Sequence, residues 1–203
     1  MTDDAFFPAT AMPDHDWWAA LWPNPEDVIH SLVVLPGMTV LDLCCGNGYF
    51  TAPLAKLIGG QVYALDIDPD MLEQARIEVE RSGATVKEWI CADACDLAEL
   101  VSEKVDYVLL ANTFHGVPDK AGMARAVVSV LKPEGRFAVI NWHRLLPREQ
   151  TTVLGEPRGP RTEMRMSPES VRDVVEPAGF ALDRVVELPP YNYCAIFQKI
   201  GAD

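Results

Sequence analysis

Two carboxylates placed around a glycine-containing turn are the feature of this 203-residue sequence best suited to chemistry. Asp42 ends an apolar, β-branched run, and Gly46 and Gly48 follow it closely. Glycine lets a backbone turn sharply and approach a ligand without a Cβ in the way. A second apolar run, residues 61–65, leads into Asp66, which is placed to accept hydrogen bonds from a ribose diol. Because the turn is anionic, the pattern favours a cationic ligand that carries a nucleoside.

The common phosphate-binding turns do not fit this stretch. A dinucleotide turn has the spacing G-x-G-x-x-G and carries its acid only after the next strand, whereas Asp42 precedes the glycines here. A Walker loop needs G-x-x-x-x-G-K-[ST], which the sequence lacks. Residues 49–58 are predicted to form a helix whose unpaired N–H groups face the ligand. A strand, a glycine-containing turn and a helix therefore follow one another as in a nucleotide-binding site, but the turn lacks the known phosphate-binding motifs.

Residues 41–50, LDLCCGNGYF, resemble the first motif of class I S-adenosylmethionine-dependent methyltransferases, D-x-G-C-G-T-G. The similarity continues in order over roughly residues 30 to 140, through the stretches ALDIDP at 64–69, CADA at 91–94, VDYVLL at 105–110 and LKPEGRF at 131–137. Each stretch is a weak signal alone, but the ordered set is specific. One residue departs from the pattern, since Cys44 stands where the family usually has its first glycine.

The resemblance implies an α/β fold with a Rossmann-like, doubly wound, seven-stranded and mostly parallel sheet that has an antiparallel C-terminal strand. We expect residues 1–203 to form a single domain: an N-terminal lid at 1–24, a cofactor-binding half at 30–140, and a substrate-side loop, helix and terminal hairpin at 141–203. Periodicity and caps predict helices at 14–22, 25–35, 49–58, 69–82 and 121–131 and another beginning at 168. The strands are predicted at 38–41, 61–65, 85–91, 105–111, 135–141, 181–188 and 191–199. Residues 145–166 are predicted to be a long loop.

The resemblance also implies S-adenosyl-L-methionine as the cofactor and gives roles to individual residues. Asp42 and Gly46 would hold its methionyl end, and Asp66 would accept from both ribose hydroxyls. Ile67 would pack on the adenine, with Asp93 and the Ala94 N–H at its edge. The remaining cofactor-binding candidates are Cys44, Gly48 and Asn112. A residue such as Asp93 has an alternative role as a turn cap.

His115 and His143 are the candidate general bases, because each follows a central strand at the edge where such sheets bind ligands. Methyl transfer from a sulfonium is an in-line displacement, so the protein mainly supplies alignment and a dry pocket. A base is needed only where the accepting atom arrives protonated. A purely structural role is the alternative for either histidine.

The substrate candidates come from the N-terminal aromatic segment and from an arginine-rich loop. Trp18 and Trp22 share one face of a predicted helix, which would form either a lid or a simple packing contact. Arg144 begins a loop with five arginines in which one or two, Arg144 and Arg148 first, would bind a carboxylate or phosphate, unless the loop is solvated and self-paired. Tyr193 completes the set, in a cavity expected between residues 17–22, the two histidines and residues 191–193.

Composition and charge narrow the partners. The net charge of −13 argues against a nucleic acid, because phosphate contacts need a basic surface. The apolar content of 49% includes no run near the ~18 residues that span a bilayer, and no signal pattern opens the chain, so we expect a cytoplasmic protein. Its five cysteines are expected to be free thiols, Cys45 and Cys91 buried, with no metal site. We expect a monomer or homodimer.

The sequence thus predicts methyl transfer to a small molecule. A protein or nucleic-acid methyltransferase is the first alternative, although Ala111-Asn112-Thr113-Phe114 lacks the N/D-P-P-Y/F tetrad of amino-directed enzymes. A non-catalytic cofactor-binding protein is the second, because the motifs report binding and not turnover. A nicotinamide enzyme of similar fold is the third.

Overall fold

One seven-stranded sheet organises the structure, a computed structural model that describes residues 15–59 and 61–201, with the side chains of residues 15 and 16 left out. The strands are β1 Val40–Leu43, β2 Val62–Asp66, β3 Glu88–Cys91, β4 Val105–Ala111, β5 Leu131–Trp142, β6 Thr152–Val153, β7 Glu156–Pro157, β8 Phe180–Leu188 and β9 Asn192–Lys199. The main sheet has the order β3-β2-β1-β4-β5-β9-β8, and β6 pairs with β7 separately. Strands β1 to β5 are parallel, and β9 is antiparallel to both of its neighbours. The predicted fold class is confirmed.

The helices of the described chain cover both faces of this sheet. They are α1 His15–Leu21, α2 Pro25–Ser31, α3 Thr51–Ile58, α4 Pro69–Arg81, α5 Leu97–Leu100, α6 Lys120–Val130 and α7 Pro168–Val175. Helix α4 begins as the sequence predicts, because the Asp68 carboxylate accepts from the Asp70 N–H at 2.9 Å and Pro69 takes the first position. In the described part of the chain, no helix combines the length and the apolar character needed to cross a membrane.

Alternate residues of the central strand β4 enter two different cores. Val108 and Leu110 pack in the cluster formed with α6 and α7. Tyr107 and Leu109 pack in the cluster formed with α1, α2 and α3. This two-sided burial explains why the strand is a continuous apolar run in the sequence.

Several predicted boundaries were wrong. Helix α2 was expected to reach residue 35, but it ends at Ser31 because Val33 turns into the left-handed region with φ 63°. Strand β5 starts four residues early, since Leu131 already pairs with Val105 ahead of an irregularity in the register. The expected loop at 145–166 contains the hairpin of β6 and β7 and two short 3-10 segments, Arg148–Gln150 and Thr162–Met164.

The turn after β1 packs directly against helix α4. Gly48 has φ +84°, and a Cβ built on it would lie 2.7 Å from Ala75 Cα and 2.8 Å from Ala75 Cβ. The sequence suggested that Gly48 leaves room for a ligand, but the close neighbour at this position is the helix. Gly48 therefore fixes the distance between the turn and α4.

We predict that Gly48→Ala destabilises the fold far more than Gly59→Ala. Both glycines have positive φ, but a Cβ on Gly59 (φ +76°) meets nothing within 4 Å. Gly59→Ala should cost roughly 1–2 kcal/mol, the strain of a left-handed alanine. Gly48→Ala adds an overpacking cost of roughly 1–3 kcal/mol. Urea unfolding of both variants measures the difference, and equal losses would show that the contact with Ala75 is unimportant.

Candidate active site

A cavity of about 360 Å³ opens at the carboxyl ends of β1, β4 and β5. Parallel strands bring the residues that follow them to one edge of a sheet, so the cavity lies where open α/β sheets bind ligands. Its lining residues are Trp17, Trp18, Asp42, Cys44, Cys45, Gly46, Tyr49, Phe50, Ala111, Asn112, Thr113, His115, Trp142, Arg148, Arg158, Gly159 and Pro160. One end of the cavity is thus acidic, its wall is aromatic, and another part carries two arginines.

Asp42 is a buried carboxylate without a cationic partner in the described chain. The residue is 2% exposed, and its carboxylate accepts one hydrogen bond, from Thr51 Oγ1 at 2.6 Å. The pKa of Asp42 is raised to about 7, mainly by burial; the Thr51 hydroxyl opposes this shift and the nearby Asp66 charge adds to it. A buried carboxylate in this state favours a ligand that brings positive charge.

Asp66 is anchored by backbone donors and retains capacity to accept more. Its Oδ2 accepts from the Gly46 N–H at 2.8 Å and its Oδ1 from the Asp68 N–H at 3.0 Å. A carboxylate offers about four lone-pair sites. The two backbone hydrogen bonds orient both carboxylate oxygens and use one lone pair on each. The remaining lone pairs allow Asp66 to accept from two neighbouring hydroxyls.

The turn between these carboxylates contains a non-glycine residue in the left-handed region. Cys44 has φ 58° at the position of the family's first glycine, and Gly46 has φ 54°. Burial raises the pKa of the Cys44 thiol well above its usual range, so this cysteine is an unreactive lining group. Asn112 also has φ 56°, which asparagine tolerates, and its Oδ1 accepts from Asn192 Nδ2 at 3.0 Å.

The predicted adenine-side residues lie beyond this cavity, after β2 and β3. Ile67 and Asp93 are half-buried and Ala94 is buried. The Asp93 carboxylate accepts from the Cys95 N–H at 2.8 Å and caps the 3-10 segment Ala94–Asp96, the alternative role that the sequence left open. The expectation that Cys91 is buried was wrong, because this residue is exposed, whereas Cys45 is buried as expected.

His115 lies on the cavity wall, but both of its ring nitrogens are buried, and neither has a hydrogen-bond partner in the described chain. It is 7% exposed, and it sits in the 3-10 segment Phe114–Gly116 after β4. Burial lowers the pKa of His115 to about 4, an effect that the Asn141 amide opposes and the Lys120 and Arg165 charges strengthen. The imidazole is therefore neutral near pH 7.

Four other predicted residues do not line the cavity. His143 Nε2 lies 2.8 Å from Glu187 Oε2, and its ring contacts that of Tyr193. Tyr193 is fully buried and donates to Met166 O at 2.9 Å. Trp22 is buried and donates from Nε1 to Pro189 O, and Arg144 is exposed. Of the predicted catalytic and substrate residues, the cavity thus receives only His115 and Trp18, together with Arg148 from the loop.

An aromatic wall formed by Trp17, Trp18, Tyr49 and Trp142 closes the cavity. The Trp17 and Trp18 rings are 4.5 Å apart, Trp17 meets Trp142 edge-on at 5.9 Å, and Trp18 stacks on Tyr49 at 5.9 Å. Trp17 and Trp142 were not among the predicted site residues. The signal for Trp142 was its place at the end of a central strand, and for Trp17 its place beside Trp18.

Arg165, which the sequence did not single out, ties the arginine-rich loop together. It is 2% exposed, and its guanidinium lies 5.1 Å from the centre of the Trp142 ring. It donates to Pro160 O at 3.2 Å, to Leu146 O, to Thr151 Oγ1 at 2.8 Å and to Arg158 O at 3.2 Å. These bonds fix the loop on which Arg148 and Arg158 face the cavity.

We predict that Asp42→Asn stabilises the ligand-free protein, increasingly so at higher pH. The folded-state pKa of about 7 exceeds the unfolded value of about 4, so the Asp42 contribution to stability falls as pH rises through this window. Asparagine cannot ionise and can still accept from Thr51. At about pH 8 the variant should gain on the order of 2–4 kcal/mol, and calorimetry should show a smaller gain at about pH 5.5. A gain that does not change with pH would contradict the raised pKa.

Comparison with known proteins shows the family to which this chain belongs. The profile described as "Methyltransferase domain" matches residues 35–173. A ubiquinone biosynthesis O-methyltransferase of Xanthomonas campestris pv. campestris is 34% identical over 148 residues, 68% of this chain and 61% of that protein. The match therefore spans less than two thirds of that relative. A 2-phytyl-1,4-naphtoquinone methyltransferase of Synechococcus elongatus is 37% identical over 112 residues, 54% of this chain and 48% of its own length.

The fold comparison agrees with the sequence comparison. A crystal structure of a SAM-dependent methyltransferase from Aquifex aeolicus superposes with a TM-score of 0.73 and 25% identity, over 92% of this chain and 94% of that one. The chain belongs to the methyltransferase domain family, as a class I, S-adenosylmethionine-dependent member.

Proposed function

We propose that the protein transfers a methyl group from S-adenosylmethionine to a hydroxyl oxygen of a small molecule. The observation that carries the proposal is that one cavity contains both the buried, unpaired Asp42 carboxylate and the neutral, unpartnered His115 imidazole. The first suits a cationic methyl donor, and the second suits an acceptor that must lose a proton.

The residues present fit the cofactor. Asp42 and Gly46 would hold its methionyl end, and Asp66 would accept from the ribose hydroxyls with the oxygens that its backbone donors leave free. Ile67, Asp93 and Ala94 would border the adenine. When bound, the cofactor supplies an electrophilic methyl group on a positively charged sulfur.

His115 would act as the general base. A catalytic base must be unprotonated at working pH and within reach of the proton that it takes. With a pKa of about 4, His115 is unprotonated at neutral pH and meets the first condition. Its ring belongs to the cavity wall, and we propose that substrate binding brings a hydroxyl within hydrogen-bond reach of one of its buried ring nitrogens. With both ligands bound, the aromatic wall would limit the access of water, so the deprotonated oxygen would meet the methyl group in a dry pocket.

The name of one relative supports an oxygen acceptor, and the names of both support a small molecule. The Xanthomonas protein is named an O-methyltransferase of ubiquinone biosynthesis, and the Synechococcus protein is named for a naphthoquinone. We propose a phenolic hydroxyl as the accepting group, because the cavity wall is aromatic and the relatives are named for ring compounds. The net charge of −13 further supports a small molecule over a nucleic acid.

We also propose that the chain is one methyltransferase domain that works as a monomer or homodimer. Support comes from the single sheet, which draws strands from residue 40 to residue 199 and so joins the cofactor-binding half to the substrate side. Residues 1–14 of the expected lid lie outside the described residues. The cytoplasmic location stays a prediction from the sequence.

We predict that His115→Gln lowers kcat by roughly 10²–10⁴-fold, the usual worth of a general base. Its affinity for S-adenosylhomocysteine should stay within about threefold of wild type, since a substitution outside the carboxylate corner leaves cofactor contacts intact. Calorimetry measures the affinity, and product formation with a panel of catechols and phenols measures kcat.

The pH profile provides a second readout for His115. Because burial lowers its pKa to about 4, the base form persists as pH falls to that value. Wild-type kcat should therefore show no loss from a histidine titrating near 6.5. Wild-type turnover by His115→Gln, or a profile with a step near 6.5, would contradict the assignment.

A further inference from the structure

We infer that the acceptor carries a carboxylate on a small aromatic ring and that Arg158, assisted by Arg148, binds this carboxylate. The inference rests on the proposed function and names the substrate class of the same cavity. It depends on charge, on an unpartnered buried donor, and on the shape of the wall.

The arginine side of the cavity is a local positive patch on an acidic protein. The chain has a net charge of −13, yet Arg148 and Arg158 both line the cavity and Arg165 lies buried behind them. Among the described residues, none of the three forms an ion pair with a carboxylate. Burial lowers the pKa of Arg165, and the opposing effect of the exposed Glu149 is too small to cancel this shift. An anionic ligand would supply the missing counter-charge.

Arg158 is held by its backbone, and its side chain is left free. Its N–H donates to Thr151 O at 2.8 Å, and its carbonyl accepts from Arg165 Nη2 at 3.2 Å. The buried Nε has no hydrogen-bond partner. Leaving a buried charged donor unsatisfied is costly. Because Arg158 lines the cavity, a carboxylate bound at the terminal nitrogens of its guanidinium would offset that cost.

Arg148 is partly committed to the loop. Its Nε donates to Gly159 O at 3.1 Å and its backbone N–H donates to Thr162 Oγ1 at 3.0 Å. These bonds hold the side chain against the cavity and leave its two terminal nitrogens without a partner in the described chain. A planar guanidinium matches a carboxylate in a two-point contact, which a lysine cannot do.

The opposite charges at the two sides of the cavity orient such a ligand. Asp42 would repel a carboxylate and attract the cationic cofactor, while the arginines would do the reverse. The four rings of the aromatic wall favour a flat molecule. Since 360 Å³ is near the lower end for ligand sites and the methionyl group shares it, the acceptor has one ring. Its hydroxyl would then face His115.

The test uses two catechols that differ at one ring substituent: 3,4-dihydroxybenzoate carries an anionic carboxylate, and 3,4-dihydroxybenzyl alcohol carries an uncharged hydroxymethyl group. Each is titrated by calorimetry into the 203-residue protein saturated with S-adenosylhomocysteine, whose own binding is measured first. We expect the acid to bind wild type at least tenfold more tightly than the alcohol. Arg158→Met should weaken the acid by about 10- to 100-fold and the alcohol by less than about threefold. Arg158→Lys should recover part of the loss.

Arg161→Met is the matched control. Arg161 is exposed, lies on the same loop and is absent from the cavity lining. Its substitution should therefore leave the affinity for both probes unchanged. Absence of S-adenosylhomocysteine binding to wild type would overturn the proposed function itself. If that ligand binds and the acid is not preferred, or Arg158→Met weakens both probes equally, the proposed function stands and only the carboxylate inference is overturned. Failure of both probes to bind would overturn the inference as well.

Discussion

The rest of the site depends on a buried carboxylate that the described protein does not neutralise. Asp42 has one hydrogen-bond donor, Thr51 Oγ1, and lies near a second buried carboxylate, Asp66. Burial of a charge without a partner destabilises a fold unless the group is protonated or a ligand supplies the opposite charge. In the ligand-free protein the pKa of Asp42 therefore lies near neutrality. The buried carboxylate lowers the stability of the fold, and in return it provides a binding site for a cation.

Sheet topology converts this corner into an active site. Four residues of the site come from four strands: Asp42 lies near the end of β1, Asp66 ends β2, His115 follows β4 and Trp142 ends β5. Parallel pairing brings all four to one edge of the sheet. The antiparallel β9 pairs with β5 on the far side from β4, and β8 forms that edge of the sheet. The arginine-rich loop leaves the same edge and is fastened to Trp142 through Arg165. Acid, base, aromatic wall and arginines are thus contributed by separate segments that only the sheet brings together.

The cofactor half could be predicted from the sequence because its signals are local. Apolar runs mark β1, β2 and β4, and Asp68 with Pro69 marks the start of α4. The substrate side could not, because its contacts join distant residues to backbone carbonyls, and a carbonyl has no sequence signature. Arg165 donates to Pro160 O and Leu146 O, and no periodicity announces that arrangement. Likewise, the two histidines look alike in sequence, and only the contact of His143 with Glu187, 44 residues away, separates them.

Proton release on cofactor binding tests the central claim most directly. Calorimetric titration of S-adenosylmethionine at about pH 6, repeated in buffers of different ionisation enthalpy, counts the protons exchanged. With a pKa of about 7, Asp42 is mostly protonated there in the free protein, and a bound cation should lower its pKa. We predict release of close to one proton per cofactor by wild type. Binding without proton release would contradict the claim that a buried carboxylate at Asp42 recognises the charged sulfur.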